Sequence, residues 1–202
     1  MSKSEISLVL DYWLDECQEE PARCKSMSGL WYGGSPEVDK EISEKFSEVY
    51  ERACSDSLSS WAETAEGALA LVIVLDQFSR QIHRKTTLAF AQDPMARAIA
   101  RRSVSTKLDH ELSVPGRLFL YHPFQHSEYL EDQELGVQLA QSLLEECSPD
   151  WREYVEESLK YFIDHRDIIR RFGRFPHRNR VLNRESTQEE LKFLESTSSY
   201  GQ

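Results

Sequence analysis

The segment from Thr64 to about Arg84 constrains the fold of this 202-residue chain more than any other part of the sequence. Its middle, ALALVIVL from Ala68 to Leu75, predicts a helix that is apolar on all sides. Such a helix must be surrounded by other elements, so we expect it at the centre of the fold. The apolar run stops at Asp76 and is far shorter than the roughly 18–20 residues that span a bilayer. We therefore expect no membrane partner.

The rest of the sequence also follows a helical period, and no strand-like alternation persists. Further helices are predicted at about residues 4–17, 36–53, 94–108, 113–130, 131–146 and 149–172, and over STQEELKFL near the end. The stretch PARCKSMSGLWYGGSP, rich in Gly, Ser and Pro, is predicted to be a loop. Pro123 falls inside a helical pattern and should kink or end that helix. The sequence thus predicts a single all-α domain over residues 1–196, with about seven or eight antiparallel-packed helices, and a flexible tail at 197–202.

The cysteines and the first residues suggest a reducing compartment. The four cysteines form no C-x-x-C pair and have no histidine at zinc-finger spacing. The opening MSKSEISLVLDYW lacks the basic start, long apolar core and cleavage site of a secretory signal. We expect free thiols and a cytoplasmic location.

The charge of the chain is unevenly distributed. A net charge of −11 speaks against nucleic-acid binding, because that function needs a basic surface. Residues 76–107 nevertheless hold seven Lys or Arg against two acids, and residues 165–184 hold seven Arg against one acid. Two basic islands in an acidic chain predict a focused site for a small anion. The alternative is that these arginines pair with the surrounding acids.

Polar residues continue the apolar face of the central helix. Asp76 and Arg80 follow the apolar residues of that face at steps of three or four. A buried Asp–Arg pair that lost one member would cost about 3–5 kcal/mol. The pair therefore predicts either an ion pair that holds a neighbouring helix or one wall of a cleft.

A second polar group lies on the last long helix and just beyond it. Arg166 interrupts an apolar stripe of that helix, and the adjoining face carries Tyr154, Ser158, Tyr161 and His165. The segment RFGRFPHRN then adds Arg174, His177, Arg178 and Asn179. Loops held by a rigid scaffold are a usual place for binding groups.

The segment YHPFQHSE holds His122 and His126 at helical i, i+4 spacing. Two such histidines can share a metal ion, but a third ligand must come from elsewhere. Pro123 lies between them and no H-E-x-x-H motif occurs, so we predict no metal and no other cofactor, with a His/carboxylate metal site as the alternative. The favoured roles of these histidines are hydrogen bonding to Arg and Asp, or proton transfer near neutral pH.

Four segments together resemble the bacterial family known as domain of unknown function 924. They are ALALVIVLDQFSRQIHR, AFAQDPMARAIA, RLFLYHPFQHSEYLEDQE and FIDHRDIIRRFGRFPHRNRVLNRESTQEELKFL. The opening VLDYW and the LWYGG stretch also fit, so the resemblance covers essentially the whole chain. It implies an all-α fold similar to tetratricopeptide proteins, and it implies no particular activity.

The resemblance also points to residues in three motifs. These are Asp76, Gln77, Phe78, Arg80 and Arg84; Pro123, Phe124, His126, Ser127 and Glu128; and His165, Arg166, Asp167, Phe172, Gly173, Arg174, Pro176, His177, Arg178 and Asn179. The chain departs from the family pattern at Ser79 and Gln81, where Pro and Asn are usual. It also departs at His83 and His122, where an aromatic and an aliphatic residue are usual. These two histidines are therefore poor candidates for a shared function.

An enzyme is the function that the clustering of both signs of charge with histidine favours. We expect a hydrolase or a lyase that acts on a small anionic metabolite, in which arginines hold the anionic group by paired hydrogen bonds and histidines move protons. The predicted catalytic residues are His126, Glu128, His165 and His177. The predicted substrate-binding residues are Asp76, Gln77, Arg80, Arg84, Ser127, Arg166, Arg174, Arg178 and Asn179. The sequence has no Gly-rich phosphate loop and no G-x-S-x-G motif, so the reaction class stays open.

Two other functions remain open. The first is a tetratricopeptide-like module that presents a concave helical surface to a peptide or protein partner. The second is a purely structural network, in which acids such as Asp76, Glu128 and Asp167 neutralise buried arginines. A site requires the three motifs to converge on a cavity that solvent can reach, whereas a network requires every arginine to have its partners.

Overall fold

The computed structural model describes residues 3–196, which form nine α-helices joined by short turns. They are α1 (Glu5–Leu14), α2 (Pro21–Tyr32), α3 (Pro36–Cys54), α4 (Ala65–Val72, Ile73–Phe78 and Ser79–Ile82 in succession), α5 (Asp93–Ser105), α6 (Val114–Gln125), α7 (Leu130–Glu146), α8 (Arg152–Phe172) and α9 (Gln188–Ser196). No strand occurs within this part of the chain, so the all-α prediction is confirmed. The tetratricopeptide-like arrangement and the single domain stay predictions, and the predicted tail at 197–202 lies outside the described residues.

Several helices begin and end where the sequence signals place them. The hydroxyl of Ser4 accepts a hydrogen bond from the backbone N–H of Ser7 at the start of α1, and Thr64 and Ser113 cap α4 and α6 in the same way. Gly173 ends α8 with a φ of +69°, a left-handed conformation that glycine adopts without strain. These local interactions satisfy backbone groups that a helix end would otherwise leave unpaired.

One predicted loop is a helix, so that prediction was wrong. Residues Pro21–Tyr32 form α2 despite their Gly, Ser and Pro content. Pro21 is the first helical residue, where its missing N–H removes no hydrogen bond. Trp31 is buried, and its Nε1 donates a hydrogen bond to the carbonyl oxygen of Trp13 over 2.8 Å. Tertiary packing therefore outweighs the weak helix propensity of the segment.

Pro123 lies inside α6 and the helix ends two residues later, at Gln125. The pyrrolidine ring removes one backbone donor and opposes continuation of the helix. The polar segment that follows, from His126 to Glu128, is thereby released from the helix at the level where α4 carries Asp76.

Helix α4 is the centre of the hydrophobic core, as its all-round apolar sequence predicted. Every residue from Ala68 to Phe78 exposes 7% of its surface or less. Residues Ile73–Phe78 form a π-helical segment, a wider turn that is rare and often occurs at functional sites. The side chains of α4 therefore change their angular register at Asp76, the point where the helix changes from apolar to polar.

The described helices were also compared with the requirements of a membrane span. None of those within residues 3–196 combines the necessary length with the necessary apolar character.

Candidate functional site

A cavity of about 530 Å³ lies between α2, α4, α6, α8 and the short turn Pro176–Arg178. Its volume is within the range of about 300–1,000 Å³ that is typical of small-molecule sites. Seven of the thirteen predicted site residues line it: Gln77, Arg80, Arg84, His126, His165, His177 and Arg178. The three polar segments of the sequence therefore do converge on one cavity.

Asp76 lies behind the cavity wall and is fully buried. Its two carboxylate oxygens are each 2.9 Å from Nδ1 of His126, and one of them accepts a hydrogen bond from Gln77 Nε2 over 2.6 Å. Because a carboxylate only accepts hydrogen bonds, Nδ1 of His126 carries the hydrogen. In the neutral imidazole, Nε2 is then the atom that accepts a proton.

Two of the lining arginines are held in two-pronged ion pairs. Arg80 donates to both carboxylate oxygens of Asp93 over 3.0 and 3.1 Å, and its NH1 lies 3.2 Å from Asp76 Oδ1. Arg84 donates to both oxygens of Asp39 over 2.6 and 2.7 Å. Burial opposes the charge of Arg80, but Asp76 and Asp93 outweigh it and raise the pKa of that guanidinium. Both arginines stay charged with their forks engaged by acids of the fold.

The third lining arginine, Arg178, differs from both. It is 6% exposed and its guanidinium is stacked between the rings of Phe90 and Phe175, 4.7 and 4.5 Å from their centroids. Its nearest carboxylate, that of Asp93, is 3.8 Å away and is already bound by Arg80. Its Nε is buried and makes no hydrogen bond to any described residue.

The environment of Arg178 also weakens its hold on its proton. Burial first, and then the charge of Arg80, lower the pKa of Arg178 to about 10, because Asp93 compensates only in part. The side chain is still a cation at neutral pH. It is therefore a buried positive charge whose hydrogen-bonding capacity the described residues leave largely unused.

Four histidines line the cavity and are neutral near pH 7. Burial lowers the pKa of His122 and of His177 to about 3, and that of His165 to about 4. Burial, followed by the charges of Arg80 and Arg178, holds the pKa of His126 well below its usual range. The four rings therefore serve as hydrogen-bonding groups or proton acceptors while the cavity holds no ligand.

Two buried amides also face the cavity with an unused oxygen. Gln81 donates from Nε2 to the carbonyl oxygen of Leu30 over 3.4 Å, and its Oε1 has no partner in the described part of the chain. Gln125 approaches Nδ1 of His165 with Nε2 at 3.3 Å, and its Oε1 is likewise unsatisfied. A buried acceptor without a donor costs free energy, so both oxygens are suited to a ligand.

Two predicted catalytic or binding residues, Glu128 and Asn179, lie outside the cavity in a network around Arg184. Arg184 donates to both carboxylate oxygens of Glu128 over 2.7 and 3.0 Å, to Asn179 Oδ1 over 3.0 Å and to the carbonyl oxygen of Phe175 over 3.1 Å. Glu128 also accepts the backbone N–H of Phe175 over 2.8 Å. We call Glu128, Phe175, Asn179 and Arg184 the Arg184 network. It holds the chain on either side of Arg178.

Three further predicted binding residues also point away from the cavity. Arg174 donates to both carboxylate oxygens of Glu190 at the start of α9. Ser127 donates to Asp132 over 2.6 Å. Arg166 donates to its neighbour Asp167 from Nε and NH2, and it does not interrupt a fully buried stripe. In each case a nearby acid takes the position that a ligand would need.

Several cavity residues were not predicted as site residues. Tyr154, Ser158 and Tyr161 line the cavity on the helix face that also carries His165, so helical periodicity was the signal for them. Trp31 and Tyr32 line it from α2, which was predicted to be a loop and gave no such signal.

The low rank given to His122 was wrong as far as its position is concerned. His122 lines the cavity, and its ring stacks on that of His126 with centroids 5.6 Å apart and an interplanar angle of 21°. Its Nδ1 is buried and without a hydrogen-bond partner among the described residues. His83, by contrast, packs on Tyr50 away from the cavity.

Metal ligation was tested on the same geometry. Within residues 3–196, no three His, Cys, Asp or Glu side chains converge in a way that could hold a metal ion. The contacts of His126 Nδ1 are instead those of a histidine paired with a carboxylate.

Comparisons with known proteins follow from this fold and this site. The family model described as "Bacterial protein of unknown function (DUF924)" matches residues 9–198. The solved structure of a protein of unknown function from Agrobacterium tumefaciens, ATU0120, is 33% identical in sequence and superposes with a TM-score of 0.79. That match covers 95% of this chain and 97% of the other. The search of curated proteins found no match.

Proposed function

The chain belongs to the DUF924 family, and we propose that it binds a small anionic metabolite in the cavity and acts on it as a hydrolase or a lyase. In this proposal Arg178 binds the anionic group, and the pair of Asp76 and His126 transfers a proton.

The observation that carries the proposal is the state of Arg178. A guanidinium that served only packing would be expected to have its hydrogen bonds satisfied, as those of Arg80, Arg84 and Arg184 are. Arg178 lines the cavity, is buried, and its Nε makes no hydrogen bond to the described residues. A carboxylate in the cavity would supply the missing acceptors and compensate the buried charge.

The proton-transfer role is based on the hydrogen bond between His126 and Asp76. The carboxylate fixes the tautomer of the ring and would stabilise the imidazolium that forms when Nε2 accepts a proton. The charges of Arg80 and Arg178 lower the pKa of His126. A bound anion would offset these charges, so the ring becomes a better base when the substrate is present.

The size of the cavity supports a small molecule over a peptide. A volume of about 530 Å³ suits a ligand of one or two rings, whereas a peptide module would need a long open groove. Glu128, Arg174 and Asn179 would act indirectly in this proposal. Their hydrogen bonds anchor the segment that carries His177 and Arg178.

Binding is tested by titrating the protein with benzoate, acetate and phosphate in a calorimeter at pH 7 and low salt. We expect at least one of these anions to bind with a stoichiometry near one. Arg178→Met should weaken that binding about 10- to 100-fold, the size of one or two charge-assisted hydrogen bonds. Arg170→Met, which removes an exposed arginine of α8 paired with Glu134, is the matched control and should bind normally. Equal binding by both variants would place the anion elsewhere and refute the proposal.

The reaction is tested by incubating the protein with an extract of small anionic metabolites and following their consumption by mass spectrometry. His126→Gln should slow the consumption about 10²- to 10⁴-fold, the usual contribution of a general base. The control is His110→Gln, because His110 is exposed and far from the cavity lining. A protein that binds anions but consumes none of them would be a binder, and the enzymatic part of the proposal would fail.

A further inference from the structure

The apolar part of the cavity wall is made of rings. Trp31, Tyr32, Tyr154, Tyr161 and Phe162 line it, together with the four histidines. No Leu, Ile, Val, Met or Ala side chain belongs to the lining that residues 3–196 provide. Ring faces bind flat π-systems by offset or edge-to-face stacking and gain less from an irregular aliphatic chain. The wall therefore favours a planar ligand.

Two of these rings are unusually exposed. Tyr32 and Tyr161 are 63% and 59% exposed, and both border the cavity. In the described part of the chain, Tyr129 is the one other aromatic side chain with comparable exposure. Large aromatic surface left in water beside a cavity is typical of a binding site, because a ligand that covers it regains the hydrophobic free energy.

The buried amides ask for donors on the ligand. Gln81 cannot be satisfied by reversing its amide, because Oε1 would then face the carbonyl oxygen of Leu30. Nδ1 of His165 lies 2.7 Å from the carbonyl oxygen of Tyr161 and must donate to it. Reversing the amide of Gln125 would therefore only exchange one unsatisfied atom for another. Oxygens Oε1 of Gln81 and Gln125 are thus acceptors suited to N–H groups.

The charges favour one carboxylate on the ligand. Arg80 and Arg84 are engaged by Asp93 and Asp39. Arg178 is the cation whose fork is open, and it faces neutral histidines. A single planar carboxylate matches one guanidinium fork, whereas a dianionic phosphate would bring a second charge without a second open cation.

From these features, and resting on the anion site of the proposed function, we infer that the ligand is a planar heteroaromatic monocarboxylate. Its carboxylate binds Arg178, its ring stacks on the aromatic wall, and its ring N–H groups donate to Gln81 and Gln125. The class is defined by these three chemical features together, and each of them can be removed separately in a probe.

Four compounds separate the three features in calorimetric titrations at pH 7. Orotate has the planar ring, the ring N–H groups and the carboxylate. Benzoate lacks the N–H groups, cyclohexanecarboxylate also lacks the planar ring, and uracil lacks the carboxylate. We expect orotate to bind about tenfold more tightly than benzoate, and benzoate about fivefold more tightly than cyclohexanecarboxylate. Uracil should bind at least about tenfold more weakly than orotate.

A variant links the preference to a residue. Gln81→Leu should lower the affinity for orotate to that for benzoate and leave benzoate binding unchanged, which also shows that the variant is folded. Gln141→Leu, at an exposed position on α7, is the matched control. If all three carboxylates bind equally and all lose affinity in Arg178→Met, the inference is overturned while the anion site of the proposed function stands. If no carboxylate binds, both are overturned.

Discussion

Arg178 and Arg184 lie six residues apart in the same segment, yet the structure treats these two cations in opposite ways. Arg184 donates four hydrogen bonds within the Arg184 network. Arg178 donates none to the described residues, and its nearest carboxylate oxygen is 3.8 Å away. The first arginine has the partners of a structural residue, and the second has the exposed demand of a binding residue.

The difference has an energetic meaning. Hydrogen bonds to charged groups contribute about 1.5–3 kcal/mol to stability, so the Arg184 network stabilises the turn that precedes it. At Arg178 the lowered pKa, of about 10, means that the fold disfavours the charge it carries there. One region adds stability, and the neighbouring region gives up stability to keep polar groups ready in a cavity.

The largest expected difference between the two regions is in their response to acid. The pKa values of His122, His165 and His177 are lowered to about 3, 4 and 3. Between those values and about pH 6.5 the unfolded chain binds protons that the folded chain does not, so the free energy of unfolding falls as the pH falls through this range. Each histidine should contribute about 1–2 kcal/mol between pH 7 and pH 5.

Urea denaturation followed by circular dichroism at pH 7, 6 and 5 measures this loss. His122→Leu should reduce the pH dependence by about one bound proton, and His110→Gln should leave it unchanged. Glu128 gives no such dependence in this range, because although burial opposes its charge, Arg184 outweighs this and holds the pKa of its carboxylate below the usual range. A stability that is flat from pH 7 to pH 5 would contradict the neutral buried state of the histidines.

The second largest effect is expected in the Arg184 network. Arg184→Met leaves the half-buried carboxylate of Glu128 with one backbone donor, and it removes the bonds to Asn179 and Phe175. We expect the free energy of unfolding to fall by about 2–3 kcal/mol, less than for a fully buried pair because water reaches both side chains. A loss below about 0.5 kcal/mol by urea denaturation would mean that the network is not structural.

Arg178→Met should behave in the opposite way. Methionine can fill the space between Phe90 and Phe175 and removes a buried charge that the surroundings compensate only in part. We expect a free energy of unfolding within about 1 kcal/mol of the original protein or above it. A melting temperature as low as that of Arg184→Met would abolish the distinction between the two arginines.

The smallest effect is expected at an arginine that belongs to neither region. Arg170 pairs with Glu134 at the surface, and their side chains are 48% and 44% exposed. Arg170→Met should change the free energy of unfolding by less than about 0.5 kcal/mol, because exposed ion pairs contribute little. A larger loss would show that surface pairs on α8 contribute to the stability now assigned to the Arg184 network.

These three arginines also show what the sequence could and could not predict. Helices with strong periodicity and clear caps were found because their signals are local, as with Ser4 and Gly173. The roles of Arg170, Arg178 and Arg184 could not be separated, because all three lie in one basic stretch. Their burial and their partners come from residues distant in sequence, which one-dimensional patterns do not contain.

The candidate site was predictable to the same extent. Convergence of the polar segments followed from the helical faces of Asp76 and His165. The contribution of α2 was missed because packing around Trp31 overrides local propensity there. His122 was ranked low because a family pattern reports what is usual in relatives, while the cavity depends on where this side chain lies.

The π-helical segment Ile73–Phe78 has a consequence for how the site can change over time. Each residue of an α-helix turns the chain by about 100°, so one residue more or less within α4 shifts the phase of everything that follows. Deleting a single residue there would restore a plain α-helix and turn Gln77, Arg80 and Gln81 away from the cavity, while the apolar half of the helix kept its place. The alignment of core and site along α4 thus depends on a residue count, and an insertion or deletion in this one turn is the smallest genetic change that would separate the fold from its function.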